Sequence, residues 1–141
     1  MKKVRGYNFS RTFMGERVPQ HIQNIVIREF CKKEQLNLLL SATEYSMQNS
    51  NFILEQIIDD LRNVDGIVAY SIFQLPFNDL KRNEIISKIL RLKKTIYFAN
   101  EGFKISNKHE AERIKTIWLL KKTLDNCADI KDYGKIDKYC F

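Results

Sequence analysis

Four short apolar segments, at residues 4–9, 36–42, 66–71 and 95–99, alternate along the chain with stretches whose apolar residues recur at three- and four-residue steps. That alternation constrains the fold more than any other feature. Runs of this length suit strands, and helices of ~12 or more residues between them are what parallel strands need as crossovers. Pro19 opens the first helical stretch, with Ile22, Ile25, Val26, Glu29 and Phe30 on its stripe. Ile53, Leu54, Ile57, Ile58 and Leu61 mark the second, and Leu80, Ile85, Ile86, Ile89 and Leu92 the third, which Asn78 can cap. Asn107 and Glu110 have capping-box spacing before the fourth, whose stripe is Ile114, Ile117, Trp118, Leu120 and Leu124. The fold class expected is α/β: a three-layer α/β/α sandwich on a four-stranded parallel sheet, helices on both faces. One domain over residues 1–126 accounts for the pattern, followed by a charged, aperiodic tail over 127–141.

Composition sets the class of partner. With 141 residues and 44% apolar content the chain buries a sizeable core and is not disordered. Lys and Arg number 24 against 17 Asp and Glu, a net charge of +7 that favours anionic partners. No apolar run nears the ~20 residues of a membrane span, and no signal-peptide core follows the basic start, so a cytoplasmic protein is expected. Cys31, Cys127 and Cys140 show no CxxC spacing, and neither His21 nor His109 has a second ligand at metal spacing. No metal is expected.

In a parallel sheet the ligand crevice lies beyond the carboxyl ends of the strands, where strand order reverses. The loops to inspect are therefore residues 8–18, 43–51, 72–78 and 100–106. The first offers the hydroxyl of Ser10, the guanidinium forks of Arg11 and Arg17 and the flexible Gly15 just before a helix, a set that can hold a phosphate or carboxylate. No glycine-rich nucleotide fingerprint occurs, so no cofactor is expected. His21, in the first turn of that helix, and Glu44, after the second strand, are candidates for proton transfer, and Ser10 for nucleophilic attack. Tyr45, Gln74, Asn100 and Glu101 complete a polar ring able to position hydroxyls. Each of these residues has an ordinary use in a turn or on a solvated surface. Phe73, Leu75 and Phe77 in the third loop are apolar and suit a core or an interface.

Two resemblances bear on function. GYNFSR, the helix start at PQHIQN and the strand DGIVAYSIFQLP resemble the catalytic domain of serine recombinases, the resolvase and invertase family, over roughly the first hundred residues. That resemblance implies a resolvase-like fold and pairing through a long helix after the sheet, here residues 110–126. The family's first strand ends in Tyr-x-Arg-Val-Ser; here Tyr7 and Ser10 remain, one residue short and without the arginine. The family's Leu-Asp-Arg-Leu after the third strand is replaced at its acid and arginine by Phe73 and Gln74. Without cations to stabilise a phosphoryl transition state, strand cleavage by Ser10 is not expected.

The second resemblance covers nearly the whole chain. KVRGYNFSRTFMGERVPQHIQN, LLSATEYSM, VDGIVAYSIFQLP and FANEGFKISN look like the sporadic carbohydrate cluster proteins, encoded among bacterial genes for lipopolysaccharide, O-antigen or capsule synthesis. It implies a role in surface-polysaccharide biosynthesis and carries no reaction with it. The expectation is a protein that binds or modifies an anionic sugar derivative, gripped by Arg11 and Arg17. The alternatives are a non-catalytic interaction module of the same pathway and a recombinase-related DNA-binding protein. The basic helix faces, such as Lys81/Arg82 and Lys121/Lys122, read first as solvated surface and only secondarily as a nucleic-acid interface.

Overall fold

The computed structural model describes residues 1–131 except 14, 16 and 48, with backbone only over 125–131. Strands β1 (Lys2–Phe9), β2 (Leu36–Glu44), β3 (Gly66–Ala69), β4 (Thr95–Phe98) and β5 (Phe103–Ile105) form one sheet in the order β2-β1-β3-β4-β5. The first four run parallel, and β5 turns back antiparallel to β4. The expected sheet thus gains a fifth strand, inside a segment read as loop. Three residues are too few to show period-two patterning, and the hairpin is made by Gly102, whose φ of +72° closes the turn with its amide on the Phe98 carbonyl.

The helices are α1 (Gln20–Lys33), α2 (Phe52–Asp59), α3 (Asp79–Arg91) and α4 (Lys108–Lys131), with short 3-10 turns at Leu61–Asn63 and Ile72–Gln74. Right-handed crossovers put α1 on one face, and α2 and α3, which touch each other, on the opposite one. Val4, Tyr7, Ile67, Val68, Ile96 and Phe98 fill the sheet's core, and Ile27, Leu54, Ile57, Ile89, Ile114 and Trp118 press on it from the helices. Gly66 lets β3 lie against β4, because a Cβ there would run into the Thr95 carbonyl.

Two helix stripes differ from their expected phase. On α1 the buried positions are Gln23, Ile27 and Cys31, four residues apart, while Ile22 and Ile25 are exposed. The apolar spacing misplaces the face because its first member is a glutamine. On α4 only Ile114 and Trp118 are buried among the described side chains, and Leu120 and Leu124 face outward. Helix α4 also continues to Lys131, five residues into the stretch read as an aperiodic tail, whose remainder lies outside the described residues. Cys31 is a buried apolar filler, its thiol pushed up to about 11 by burial.

One irregularity marks the β2 edge. Val4 pairs with Leu38 but Gly6 with Ser41, so Leu39 and Leu40 together oppose Arg5. This is a bulge in β2, and the Arg5 Nε donates to the Leu40 carbonyl at 3.1 Å. Leu40 is left pointing into solvent.

Candidate functional site

Strand order reverses between β1 and β3, since β1 leads to β2 on one side and β3 to β4 on the other. The residues beyond these carboxyl ends form three polar clusters. In the first, the buried carboxylate of Glu44 accepts five hydrogen bonds: from the Tyr7 hydroxyl at 2.8 Å, the Ser50 hydroxyl at 3.1 Å, and the amides of Tyr45, Ile53 and Leu54 at 3.1, 3.1 and 3.2 Å. Two of those amides belong to the first turn of α2, so Glu44 supplies the cap that Asn51 does not. Burial, reinforced by the adjacent Glu44 carboxylate, raises the Tyr7 hydroxyl far above the ordinary tyrosine range and keeps it a donor.

Arg11 belongs to the same cluster. Its guanidinium lies 4.1 Å above the Phe9 ring and donates to the carbonyls of Tyr45, Met47 and Ser50 at 2.9, 3.1 and 2.9 Å. The group expected to grip an anion instead ties the β2–α2 loop to the end of β1. Ser10 is half-buried, with its hydroxyl 3.5 Å from the Glu44 carbonyl, and Tyr45 turns its ring toward Phe52. Arg17 and His21 are exposed. On α1, His21 lies two residues from the inward Gln23, about 200° around the helix, so it points away from the β1 terminus.

The second cluster centres on Gln23, which sequence reasoning missed. Its side chain accepts from the Phe9 amide at 3.0 Å and donates to the Phe9 and Val18 carbonyls at 2.9 and 2.8 Å, closing the β1–α1 loop. Gln74, expected to meet a ligand, is fully buried and donates to the Gln23 carbonyl oxygen at 2.8 Å. Its own Oε1 has no partner among the described residues. Asn8, also missed, joins Asn24 at 2.7 Å to Thr43 at 2.8 Å. The in-phase spacing of Gln23 with Ile27 and Cys31 was the available signal.

In the third cluster Glu101 accepts from the Ser71 hydroxyl and the Ile72 amide, both at 2.8 Å, and from Asn100 at 3.1 Å. It caps the turn Ile72–Gln74. Ser10, Arg11, Glu44 and Tyr45 are thus brought together, Asn100 and Glu101 form a separate pair, and Gln74 lies beneath the surface. Of the nine candidates, Glu44, Arg11, Gln74 and Glu101 hold the protein's own backbone and loops.

What lies open at the switch point is a groove of about 1140 Å³ between the post-β1 and post-β2 loops on one side and the start of α3 with α4 on the other. Phe73, Phe77 and Trp118 line one wall, with ring centroids of Phe73 and Phe77 at 5.3 and 6.2 Å from Trp118. Behind them the buried Arg82 stacks 4.2 Å from the Trp118 ring, donates to the carbonyls of Pro76 and Phe77, and pairs with Asp79. Lys122 reaches the same Asp79 at 2.9 Å and lies 4.3 Å from the Phe77 ring. Lys122, then Arg82, hold the Asp79 carboxyl below the usual carboxylate range. Among the described residues no group of three His, Cys, Asp or Glu could hold a metal ion, and no helix is long and apolar enough to cross a membrane.

No family model matches the chain, and no curated protein matches it. Several solved structures are similar in shape, and two illustrate the likeness. The N-terminal catalytic domain of TP901-1 integrase superposes with a TM-score of 0.61 at 12% identity, covering 86% of this chain and 96% of that one. A resolvase family site-specific recombinase from Streptococcus pneumoniae superposes with a TM-score of 0.60 at 9% identity, covering 96% of this chain and 97% of that one. Neither comparison supports the resemblance to sporadic carbohydrate cluster proteins, which rests on its four sequence motifs. The mostly parallel five-stranded sheet with four helices is the resolvase-like α/β fold of recombinase catalytic domains, and the likeness extends to the fold alone.

Proposed function

We propose that this protein is a non-catalytic binding module on a recombinase scaffold, pairing with a second copy of itself through α4. The observation that carries this reading is the second apolar stripe of that helix. Ile117, Leu120 and Leu124 follow at three- and four-residue steps, and Leu120 and Leu124 keep 57% and 64% of their surface exposed. Ile114 and Trp118 already seat α4 on the domain with Ile117 at the edge of that contact, so Leu120 and Leu124 are left uncovered among the described residues. The stripe's spacing is that of a helix–helix seam. The engagement of Glu44, Arg11 and Glu101 with backbone supports binding over catalysis. The motif resemblance supports a place for the module beside enzymes of surface-polysaccharide synthesis, holding partners together.

Sedimentation equilibrium tests the pairing. The wild-type protein is expected to be a dimer and the Leu120→Glu, Leu124→Glu double variant a monomer with unchanged far-ultraviolet circular dichroism. A wild-type monomer at about 100 µM would overturn the reading, because pairing follows mass action. A second reading, a recombinase-related DNA-binding protein, is favoured by the fold of the integrase and recombinase neighbours and by the charge of +7. It requires duplex binding that weakens steeply with salt, and no retardation of duplex DNA at low salt would remove it.

A further inference from the structure

The groove beside Trp118 has a composition that neither the pairing of α4 nor the fold requires. We infer that it is a binding site for a phosphorylated sugar, a hydroxyl-rich ring carrying one compact anionic group. The inference goes beyond the proposed pairing and does not depend on it.

Three features of the walls fit that chemistry together. Phe77 is 57% exposed with its ring bordering the groove, a face on which the apolar side of a sugar ring can lie. Asn49, Asn51 and Asn78 line the rim, and short amides are paired donors and acceptors suited to hydroxyls. The third feature is charge. Among the lining residues Arg11 and Lys81 stand against Glu84, and Arg11 is bonded to carbonyls rather than to an acid, so its charge meets no carboxylate there. Helix α3 starts at the lip, adding the positive end of its dipole.

The aromatic wall holds an unmet need. Trp118 is fully buried and lines the groove, yet its indole N–H meets no acceptor among the described residues. A buried donor of this kind normally has a partner, and a hydroxyl or phosphate oxygen supplies one once the side chains covering it shift aside. The excess charge is small and local, since Lys81 is paired with Glu55 at 2.8 Å and Glu84 also lines the groove. That balance suits one phosphate group better than the continuous basic track a nucleic-acid backbone needs.

Trp118 is the chain's single tryptophan, so its fluorescence reports on this groove directly. The full chain is titrated with glucose 1-phosphate, UDP-glucose, glucose, inorganic phosphate and a single-stranded oligonucleotide. Either phosphorylated sugar is expected to change the emission saturably with a dissociation constant at or below about 1 mM. The arm that binds more tightly identifies the free or nucleotide-linked form. Phe77→Ala is expected to weaken that binding at least about tenfold, a loss of ~1.4 kcal/mol of binding free energy. Leu120→Glu, which leaves the groove intact, is expected to bind as wild type. Saturation by neither phosphorylated sugar would overturn the inference, as would equal binding by inorganic phosphate, tighter binding of the oligonucleotide, or unchanged affinity in a folded Phe77→Ala protein.

Discussion

Two corners of the molecule, on either side of the strand-order reversal, each hold an arginine that caps backbone carbonyls and a carboxylate, and they differ in where the carboxylate lies. At the β1–β2 corner Glu44 is buried and takes five donors, while Arg11 caps three carbonyls across the loop. Every charged hydrogen-bonding group there is turned onto the chain itself. At the β3–α3 corner Asp79 is exposed and shared by Arg82 and Lys122, which in turn lie over aromatic rings, one of them carrying an unmet N–H. The first corner buries its carboxylate and the second exposes it. The difference teaches that charge at the end of a parallel sheet does not by itself mark a binding site, because the backbone can take up all of its hydrogen-bonding capacity.

The comparison can be broken in order of size. Glu44→Ala removes the acceptor for five donors, all of them part-buried or buried, and is expected to cost about 3–4 kcal/mol in urea unfolding. A loss under about 1 kcal/mol would mean that the corner is not holding the fold. Arg82→Met keeps much of the packing on Trp118 but strands the Pro76 carbonyl and leaves Phe77 only its bond from Lys122, and about 2 kcal/mol is expected, with a shifted Trp118 emission as the local readout. Tyr7→Phe deletes one bond to a carboxylate that keeps four others, so about 1.5 kcal/mol is expected. Ser10→Ala, removing only a long contact, should stay within about 0.5 kcal/mol and leave α4 pairing unchanged by sedimentation.

The smallest effect separates the corners by pH. Asp79 titrates lower in the folded chain than in the unfolded one, so its contribution is present above the ordinary carboxylate range and fades as pH falls through the depressed folded value. Thermal melts of wild type and Asp79→Asn should therefore converge on acidification from about pH 6 to 3. Because Asp79 is largely exposed, the gap at neutral pH should be slight and shrink with added salt.

The four parallel strands and four helices are legible in the chain because each apolar run is bounded by polar or turn residues and its period is unambiguous. Legibility fails where a polar residue occupies a core position. Gln23 and Arg82 sit in phase with Ile27 and Cys31, and with Ile85, Ile86 and Ile89, yet a pattern read from apolar letters passes over them. The candidate site is less legible for a different reason. Arg11 and Glu44 stand in the right loops, but whether such a group faces a ligand or a carbonyl depends on partners far along the chain, 34 to 39 residues away for Arg11. Trp118 was assigned to a helix stripe, and only packing against Phe73 and Phe77 turns it into the wall of a groove.

The bulge at Leu39 and Leu40 has a consequence for how this chain behaves at high concentration. Residues 36–43 carry no charge and form the outer border of the sheet, where a regular ribbon of leucines would invite identical borders to zip together without limit. One extra residue puts the two halves of that border out of step, and the Arg5 side chain occupies the Leu40 carbonyl. An uncharged rim is thereby interrupted by a bulge and one arginine, where the opposite border is three residues long and bears Lys104.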